Sequence, residues 1–199
     1  MSSSTTSFPI ENRLLAALPH DEYDRLSRNL ELIRLPRNRI LYEAGEAVQY
    51  AYFLIGGMAS FLSITEDGQT IDICMVGNEG FIGDDIIAKV GVTPCRVMTQ
   101  FPCEALRLEA EPLLAEFNRG ATLHELLLRY THVLKRQLVQ ATVCLPFHSY
   151  RQRLCRWLLT AQRVILFILP TLPKKSSPLC LALHALASQW LPALFRTQG

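Results

Sequence analysis

The distribution of carboxylates divides this chain into a part that can form a solvated fold and a part that cannot. All 18 Asp and Glu residues lie in the first 163 positions, where 17 Lys and Arg residues balance them. The remaining 36 positions contain none, and carry three Lys or Arg residues beside nine Leu and four Pro. Folded domains mix both signs of charge over their surface. We therefore expect residues 164–199 to lie outside the ordinary fold.

Composition excludes several classes of protein. Residues 1–10 begin with a polar Ser/Thr run, which predicts a disordered lead rather than a signal peptide. Residues 164–173 are apolar, but ten residues with two prolines fall short of the roughly 20 that span a bilayer. The six scattered cysteines show neither Cys-x-x-Cys nor zinc-ligand spacing, which favours buried thiols in a reducing compartment. We expect a cytoplasmic protein with no membrane contact and no metal.

Short apolar runs separated by glycine turns fill residues 33–108. The clearest turn is Asp67-Gly68, which stands between the strand-like runs 61–64 and 71–76. Asp-Gly in this position is a strong hairpin signal, because both turn residues are expected to take positive φ. Strands at this spacing predict an antiparallel β-roll, in an α+β protein.

The periodicity changes after Gly120. Apolar residues then step by three and four along one face of a helix, at Leu123, Leu127, Tyr130, Leu134, Leu138 and Ala141. An apolar stripe of this length must be buried against another surface. Packing on its own domain is one solution, but a partner helix from a second subunit is the favoured prediction, so these residues are assigned to dimerisation.

A second helix begins after Pro146. Ser149-Tyr150-Arg151-Gln152 has the Ser-x-x-Gln form of a capping box. Arg151, Arg153 and Arg156 give this segment the first locally basic character in the chain, and are the candidate DNA-contacting residues.

The order of elements and the glycine positions resemble those of the Crp/Fnr family of transcription regulators. The matching motifs are Gly45-Glu46, Gly56-Gly57, Asp67-Gly68, Gly80-Phe81-Ile82-Gly83-Asp84 and the run HSYRQRLCRWLL over 148–159. The resemblance covers about residues 10–163. It implies a sensor β-roll over 11–119, a dimerisation helix over 120–146 and the first helix of a winged helix-turn-helix domain over 147–163.

The same resemblance implies a recognition helix some 25 residues after Arg163, and the tail does not supply one. The run 181–190 is nearly all apolar, with no Lys or Arg to reach phosphates or bases. In a shifted reading frame, free choice of the wobble base permits LTQEE followed by LGTPRSRIAVAAGTLQ, which resembles the family's second and third DNA-binding helices. We predict that 164–199 is out of frame; the alternative is a genuinely divergent tail.

The resemblance also indicates where an effector would bind. In cyclic nucleotide binders of this fold, an acidic residue after a Phe-x-Gly turn takes the ribose hydroxyl, and an Arg followed by a small residue takes the phosphate. Gly83-Asp84-Asp85 supplies the acidic turn, and Arg96 is the candidate arginine, although Val97 follows it. We favour a degenerate pocket without a cyclic nucleotide over a nucleotide site. An ion pair between these acids and Arg96 is a further alternative.

No cysteine precedes Cys74, so the iron–sulfur cluster of some Fnr-like regulators is not expected. No nucleophile–base pairing or phosphate-cradling loop predicts an enzyme. The leading prediction is a dimeric DNA-binding regulator that senses a small effector through the roll, with operator DNA as the partner of intact relatives and impaired DNA binding in this chain. The alternative is a stand-alone sensor module that binds a ligand or partner protein.

Overall fold

The computed structural model describes residues 11–168, and within them an antiparallel β-roll precedes two long helices. The strands are β1 Glu31–Leu35, β2 Ile40–Tyr42, β3 Tyr50–Gly56, β4 Ala59–Ile64, β5 Thr70–Val76, β6 Phe81–Ile82, β7 Arg96–Thr99 and β8 Cys103–Glu109. The helices are α1 Arg13–Ala16, α2 His20–Ser27, α3 Asp84–Ala88, α4 Ala110–Phe117, α5 Thr122–Phe147 and α6 Tyr150–Ile168. The predicted α+β class with a β-roll and a long helix is confirmed.

The roll consists of two four-stranded sheets. One has the order β1-β8-β3-β6 and the other β2-β7-β4-β5, with every adjacent pair antiparallel. Buried side chains of both sheets, such as Phe53 on β3 and Val97 on β7, belong to one continuous apolar core. Strand β3 is buried over five consecutive residues, because it lies inside its sheet and has apolar cover on both faces.

The predicted hairpin joins β4 to β5, but its turn differs from the expectation. Ile64 pairs with Thr70, and Thr65 and Gln69 close the loop through a backbone hydrogen bond of 2.9 Å. Only Gly68 has positive φ, at 81°. The loop is therefore a three-residue connection in which a type I turn is followed by one left-handed residue, and Asp67 stays in an ordinary conformation.

Two polar side chains, one at the N-cap of α1 and one in α2, connect the N-terminal helices to the roll and to α5 through hydrogen bonds. Asn12 is fully buried; its Nδ2 donates to the carbonyls of Leu54 (2.9 Å) and Gly80 (2.8 Å), and its Oδ1 caps α1. The carboxylate of Glu22, only 5% exposed, accepts the backbone N–H groups of Thr122 and Leu123 at 3.1 and 2.9 Å. Burial opposes ionisation of Glu22, but these hydrogen bonds outweigh it and hold its pKa below the usual value. A residue of α2 thus caps the first turn of α5.

The inner face of α5 packs on its own β-roll, which corrects part of the predicted dimer surface. Leu123, Leu127, Tyr130 and Leu134 are buried in the core of this single chain, and the Tyr130 ring lies 5.6 Å from that of Phe81. These four side chains are therefore not available to a second subunit. An apolar stripe has the same spacing whether it packs on its own domain or on a second subunit. The sequence pattern alone therefore could not distinguish these two possibilities.

The remaining two residues of the predicted stripe are not part of that core. Leu138 is 38% exposed and Ala141 is half-buried, so their assignment to a dimer remains a prediction.

The described part of the chain divides into two compact units between Pro146 and Phe147. In the second unit, α6 continues past Arg163 to Ile168, so the helix outlasts the predicted boundary. The shifted-frame prediction for 164–199 falls almost wholly outside the described residues, as does the disordered lead over 1–10. None of the helices described has the combination of length and apolar composition that crossing a membrane requires.

Candidate functional site

The short helix α3 starts at a glycine that the fold requires. Gly83 has φ of +123°, and a Cβ placed on it would come within 3.1 Å of the backbone of Ala51. The close approach and the backbone conformation both exclude a larger residue without strain. The chain can therefore turn from β6 directly into α3, which places Asp84 and Asp85 in its first turn.

The two carboxylates at the start of α3 lie in a poorly solvated environment. Burial, followed by the nearby charge of Asp85, raises the pKa of Asp84 from 3.8 to about 6. Burial also raises the pKa of Asp85, although a hydrogen bond with Thr93 acts in the opposite direction. No cation contributes to either shift, so this turn is an electronegative surface.

Other side chains of the roll share this environment. Burial, followed by the charges of Asp85 and Asp84, raises the pKa of the Cys95 thiol. The Tyr42 hydroxyl has its pKa raised by burial, with smaller contributions from Tyr52 and the same two carboxylates, and it donates a hydrogen bond to the carbonyl of Tyr50. The two carboxylates of α3 thus act on the neighbouring Cys95 and Tyr42 side chains.

Arg96, the candidate phosphate ligand, is directed elsewhere. In β7 the side chains of Val97 and Thr99 are buried, whereas Arg96 alternates to the opposite face. Its Nε lies 2.7 Å from Oε2 of Glu43, and the side chain is 31% exposed. The structure therefore brings Gly83, Asp84 and Asp85 together, and pairs Arg96 with Glu43 rather than with those acids.

Two residues of this region were missed by sequence reasoning. Thr93 is 1% exposed, bonds to Asp85, and accepts the N–H of Cys95 at 3.4 Å. Glu43 follows β2 directly and reaches Arg96 across the β2–β7 pair. The only signal for Thr93 was a hydroxyl residue before Pro94 in a glycine-containing loop, which is too common to assign a partner.

The predicted DNA-contacting arginines lie in the first half of α6. Arg151 and Arg156 are exposed, and Arg153 is half-buried. The predicted capping box is confirmed: Ser149 N donates to Oε1 of Gln152 at 2.9 Å, and Gln152 N donates back to Oγ of Ser149 at 3.4 Å. This cap fixes the start of α6 and leaves Arg151 in its first turn.

The residues described here contain no group of three or more His, Cys, Asp or Glu side chains arranged to hold a metal ion.

Replacing Asp84 with Asn tests the electronegative turn. The folded protein holds the Asp84 proton to a higher pH than the unfolded chain, so stability declines as pH rises from about 4 to about 6 and stays lower above that. Asn removes the charge and keeps the size. We expect Asp84→Asn to raise the free energy of unfolding by about 2 kcal/mol at about pH 7.5 and to change it little at about pH 4, measured by urea titration.

The exposed Glu66, in the loop between β4 and β5, provides a control carboxylate. Glu66→Gln should change stability by less than about 0.5 kcal/mol at either pH. An Asp84→Asn effect of equal size at both values would show that the Asp84 charge is not desolvated.

Comparison with known proteins identifies the roll. Residues 32–119 match the family model of the cyclic nucleotide-binding domain. The roll therefore resembles a cyclic nucleotide-binding domain. The domain covers all eight described strands except the first residue of β1, and it includes α3 and α4. No curated protein sequence gives a significant match to the chain.

Solved structures of transcription regulators share the fold of the cyclic nucleotide-binding domain and the helix that follows it. The c-di-GMP responsive global regulator CLP of Xanthomonas campestris aligns with a TM-score of 0.59 at 16% identity, over 80% of this chain and 76% of its own. A Crp/Fnr-family regulator from Eubacterium rectale gives 0.61 at 12%, over 79% and 72%. The catabolite activator protein of Thermus thermophilus gives 0.53 at 21%, over 76% and 71%. The resemblance to Crp/Fnr regulators is confirmed at the level of fold.

Proposed function

We propose that this protein is a dimeric transcription regulator of the Crp/Fnr type, whose cyclic nucleotide-binding domain senses a small effector. The observation that carries the proposal is the continuity of the parts: the β-roll is followed directly by the 26-residue helix α5 and then by the capped, basic start of α6. A long helix between a sensor and a basic helix can transmit a change in one to the other. A sensor that acts alone does not require the exposed arginines of α6.

We propose that the effector of this domain is not a cyclic nucleotide bound in the manner of the family. Phosphate recognition there requires a guanidinium directed at the first turn of α3. Arg96 instead bonds to Glu43, and Thr93 satisfies Asp85 inside the roll. A phosphate at this turn would meet two carboxylates, and no cation contributes to the pKa shift of either one. These features support a neutral or cationic effector.

DNA binding by the full chain is weak in this proposal, because residues 164–199 contain only three Lys or Arg residues to contact phosphates or bases. Specific regulators bind their sites at about 10⁻⁸ to 10⁻¹¹ M, and we expect this chain to bind mixed-sequence duplex DNA no more tightly than about 10⁻⁶ M at physiological salt. Fluorescence anisotropy over a salt series measures both the affinity and its salt slope. Adding cyclic AMP or cyclic GMP should change neither.

The exposed arginines of α6 provide the variants for this experiment. Arg151→Ala and Arg156→Ala should each lower the salt slope by about one, whereas Arg34→Ala, which removes an exposed arginine on β1 paired with Glu104, should not. Nanomolar, sequence-specific binding would contradict the impairment. The absence of any binding sensitive to Arg151 or Arg156 would favour the stand-alone sensor.

A further inference from the structure

The hydroxyl group of Tyr130 on α5 is buried and has no hydrogen-bond partner within residues 11–168. The residue is only 5% exposed, and its side chain lies so close to the start of β6 that a Cβ on Gly80 would come within 1.9 Å of the hydroxyl oxygen. A buried hydroxyl without a partner costs roughly 1–3 kcal/mol, and phenylalanine would fill the same space without that cost. The position is therefore suited to a bound molecule that supplies the missing hydrogen bond.

A second unpaired group lies at the start of α3, in the pair Asp84 and Asp85, which we name the acid turn. No side chain in the described part of the chain donates a hydrogen bond to Asp84 or forms an ion pair with it; the hydrogen bond that lowers its pKa comes from its own backbone. Both carboxylates are half-buried, so a small molecule can reach them while much of the surrounding water is excluded. A carboxylate in such a place is stabilised most by a cation that pairs with it.

The acid turn and the Tyr130 hydroxyl belong to the same region of the roll. Asp84 follows Gly80 by four residues, so their Cα atoms are at most about 14 Å apart. Burial, followed by the charges of Glu79, Cys74 and Asp84, raises the pKa of Tyr130. A molecule with polar groups at two ends can therefore contact the acid turn and α5 at once.

Aromatic side chains stand beside the acid turn. Burial, followed by the charges of Tyr52, Asp84 and Asp85, raises the pKa of Tyr42, which places its ring near both carboxylates. The rings of Tyr42 and Tyr52 are 5.8 Å apart. Rings next to carboxylates suit a ligand that has an aromatic body and a cationic end.

We propose that the acid turn and Tyr130 bind a small aromatic amine as the effector of this domain. The inference rests on the regulator proposed above, and narrows its neutral or cationic effector to one chemical class. The ammonium group pairs with Asp84 and Asp85, and a polar group at the other end of the molecule bonds to the Tyr130 hydroxyl. Because Tyr130 belongs to α5, the bound effector contacts both the roll and the helix that follows it. Binding then favours the arrangement of α5 in which both contacts are made.

Calorimetric titration of the full chain with three probes of similar size tests this inference. Tyramine has an ammonium group and a phenol, phenethylamine lacks the phenol, and para-hydroxyphenylpropionate carries a carboxylate in place of the ammonium. At about pH 7.5 we expect tyramine to bind at least about tenfold more tightly than the propionate, because the acid turn repels a carboxylate. Tyramine should bind about fivefold more tightly than phenethylamine, since only its phenol can bond to Tyr130.

Substitutions that preserve side-chain size assign each contact. Asp84→Asn should weaken tyramine binding at least about tenfold at about pH 7.5. Tyr130→Phe should weaken tyramine binding about fivefold and leave phenethylamine binding unchanged. Glu66→Gln in the exposed β4–β5 loop and Tyr23→Phe on α2 make matched changes elsewhere, and should leave the affinity for tyramine unchanged. Urea titration shows that each variant is folded.

The affinity for tyramine should also fall about tenfold from about pH 7.5 to about pH 5. An alkylammonium group keeps its proton over this range, whereas Asp84, with a pKa of about 6, gains a proton that it must release before it can pair. Burial also raises the pKa of Asp85, so Asp84→Asn should reduce this fall without removing it. Burial keeps the other groups that interact with the charge of Asp84 neutral over this range; they are Cys74 on β5, Tyr42 on β2, Cys95 before β7 and Tyr130 on α5.

Each possible failure overturns a defined part of the inference. Tyramine that does not bind, binds no better than the propionate, or is unaffected by Asp84→Asn would overturn the amine site. Tyramine binding that Tyr130→Phe leaves unchanged would overturn the contact with α5. Either result would leave the regulator standing, because DNA binding that depends on Arg151 and Arg156 is measured without an effector.

Discussion

Replacing Gly80 with Ala should be among the most destabilising single changes in this protein. A Cβ at this position would lie 1.9 Å from the hydroxyl and 2.1 Å from Cζ of Tyr130. The Tyr130 ring is buried between α5 and the roll and lies against Phe81, so it has no free space into which to move. We expect Gly80→Ala to lower the free energy of unfolding by about 3 kcal/mol, measured by urea titration.

A double-mutant cycle tests whether the loss of unfolding free energy in Gly80→Ala comes from a clash with Tyr130. Tyr130→Leu shortens the side chain that the added methyl group would strike, so the double variant should be more stable than the sum of the single changes by at least about 1.5 kcal/mol. Tyr130→Phe should rescue little, since its ring carbon still occupies the space. Its own effect should be small, because the buried Tyr130 hydroxyl has no hydrogen-bond partner among residues 11–168 to lose. Gly56→Ala is the control: a Cβ there meets nothing within 4 Å, and we expect a change below about 0.5 kcal/mol. Additive losses in the cycle would contradict the steric account.

Asn12→Ala should also destabilise the roll severely. One side chain here satisfies four backbone groups: it accepts from Leu14 N and Leu15 N at 3.1 Å each, and donates to the carbonyls of Leu54 and Gly80. Alanine would uncap α1 and leave two carbonyls unsatisfied. We expect a loss of about 3 kcal/mol by thermal or urea unfolding.

The Asn12→Asp variant distinguishes the two halves of this network. Aspartate keeps the acceptor that caps α1 but directs a carboxylate at two carbonyl oxygens. We therefore expect it to be at least as destabilising as Asn12→Ala near neutral pH, and to recover part of its stability below about pH 5, where the carboxyl group is protonated and can donate.

Asn12→Ala should show no such recovery. Asn118→Ala, at an exposed helix end, is a second control and should change stability by less than about 0.5 kcal/mol. Equal pH profiles for the two Asn12 variants would contradict the proposed hydrogen bonds.

Local signals in the sequence gave reliable predictions where the chain itself sets the geometry. The glycine of Asp67-Gly68 takes the left-handed conformation that a tight loop needs, and the Ser149–Gln152 pair caps α6 as its spacing predicts. In both cases the interacting groups are only a few residues apart. No tertiary contact is needed to specify them.

Predictions that depended on tertiary packing, such as which surface buries an apolar helix face, were less complete. The buried stripe of α5 was recognised by its period, but the period could not show that its own β-roll covers it. Arg96 illustrates the same limit in a strand. Whether Cys95 or Arg96 faces the interior depends on the register of β7 against β4, where Arg96 pairs with Leu62. That register is set by the whole sheet and not by the residues around Arg96.

The contact between Glu22 and the first amides of α5 shows that the folded unit is larger than the matched domain. The family match begins at residue 32, yet Leu15 and Leu26, which complete the apolar core, and the carboxylate that anchors α5 all precede it. A fragment that begins at residue 32 would lose the hydrogen bonds between Glu22 and α5, while keeping all eight strands apart from the first residue of β1. In the proposed regulator, residues 12–26 would therefore be needed to couple effector binding in the roll to α5.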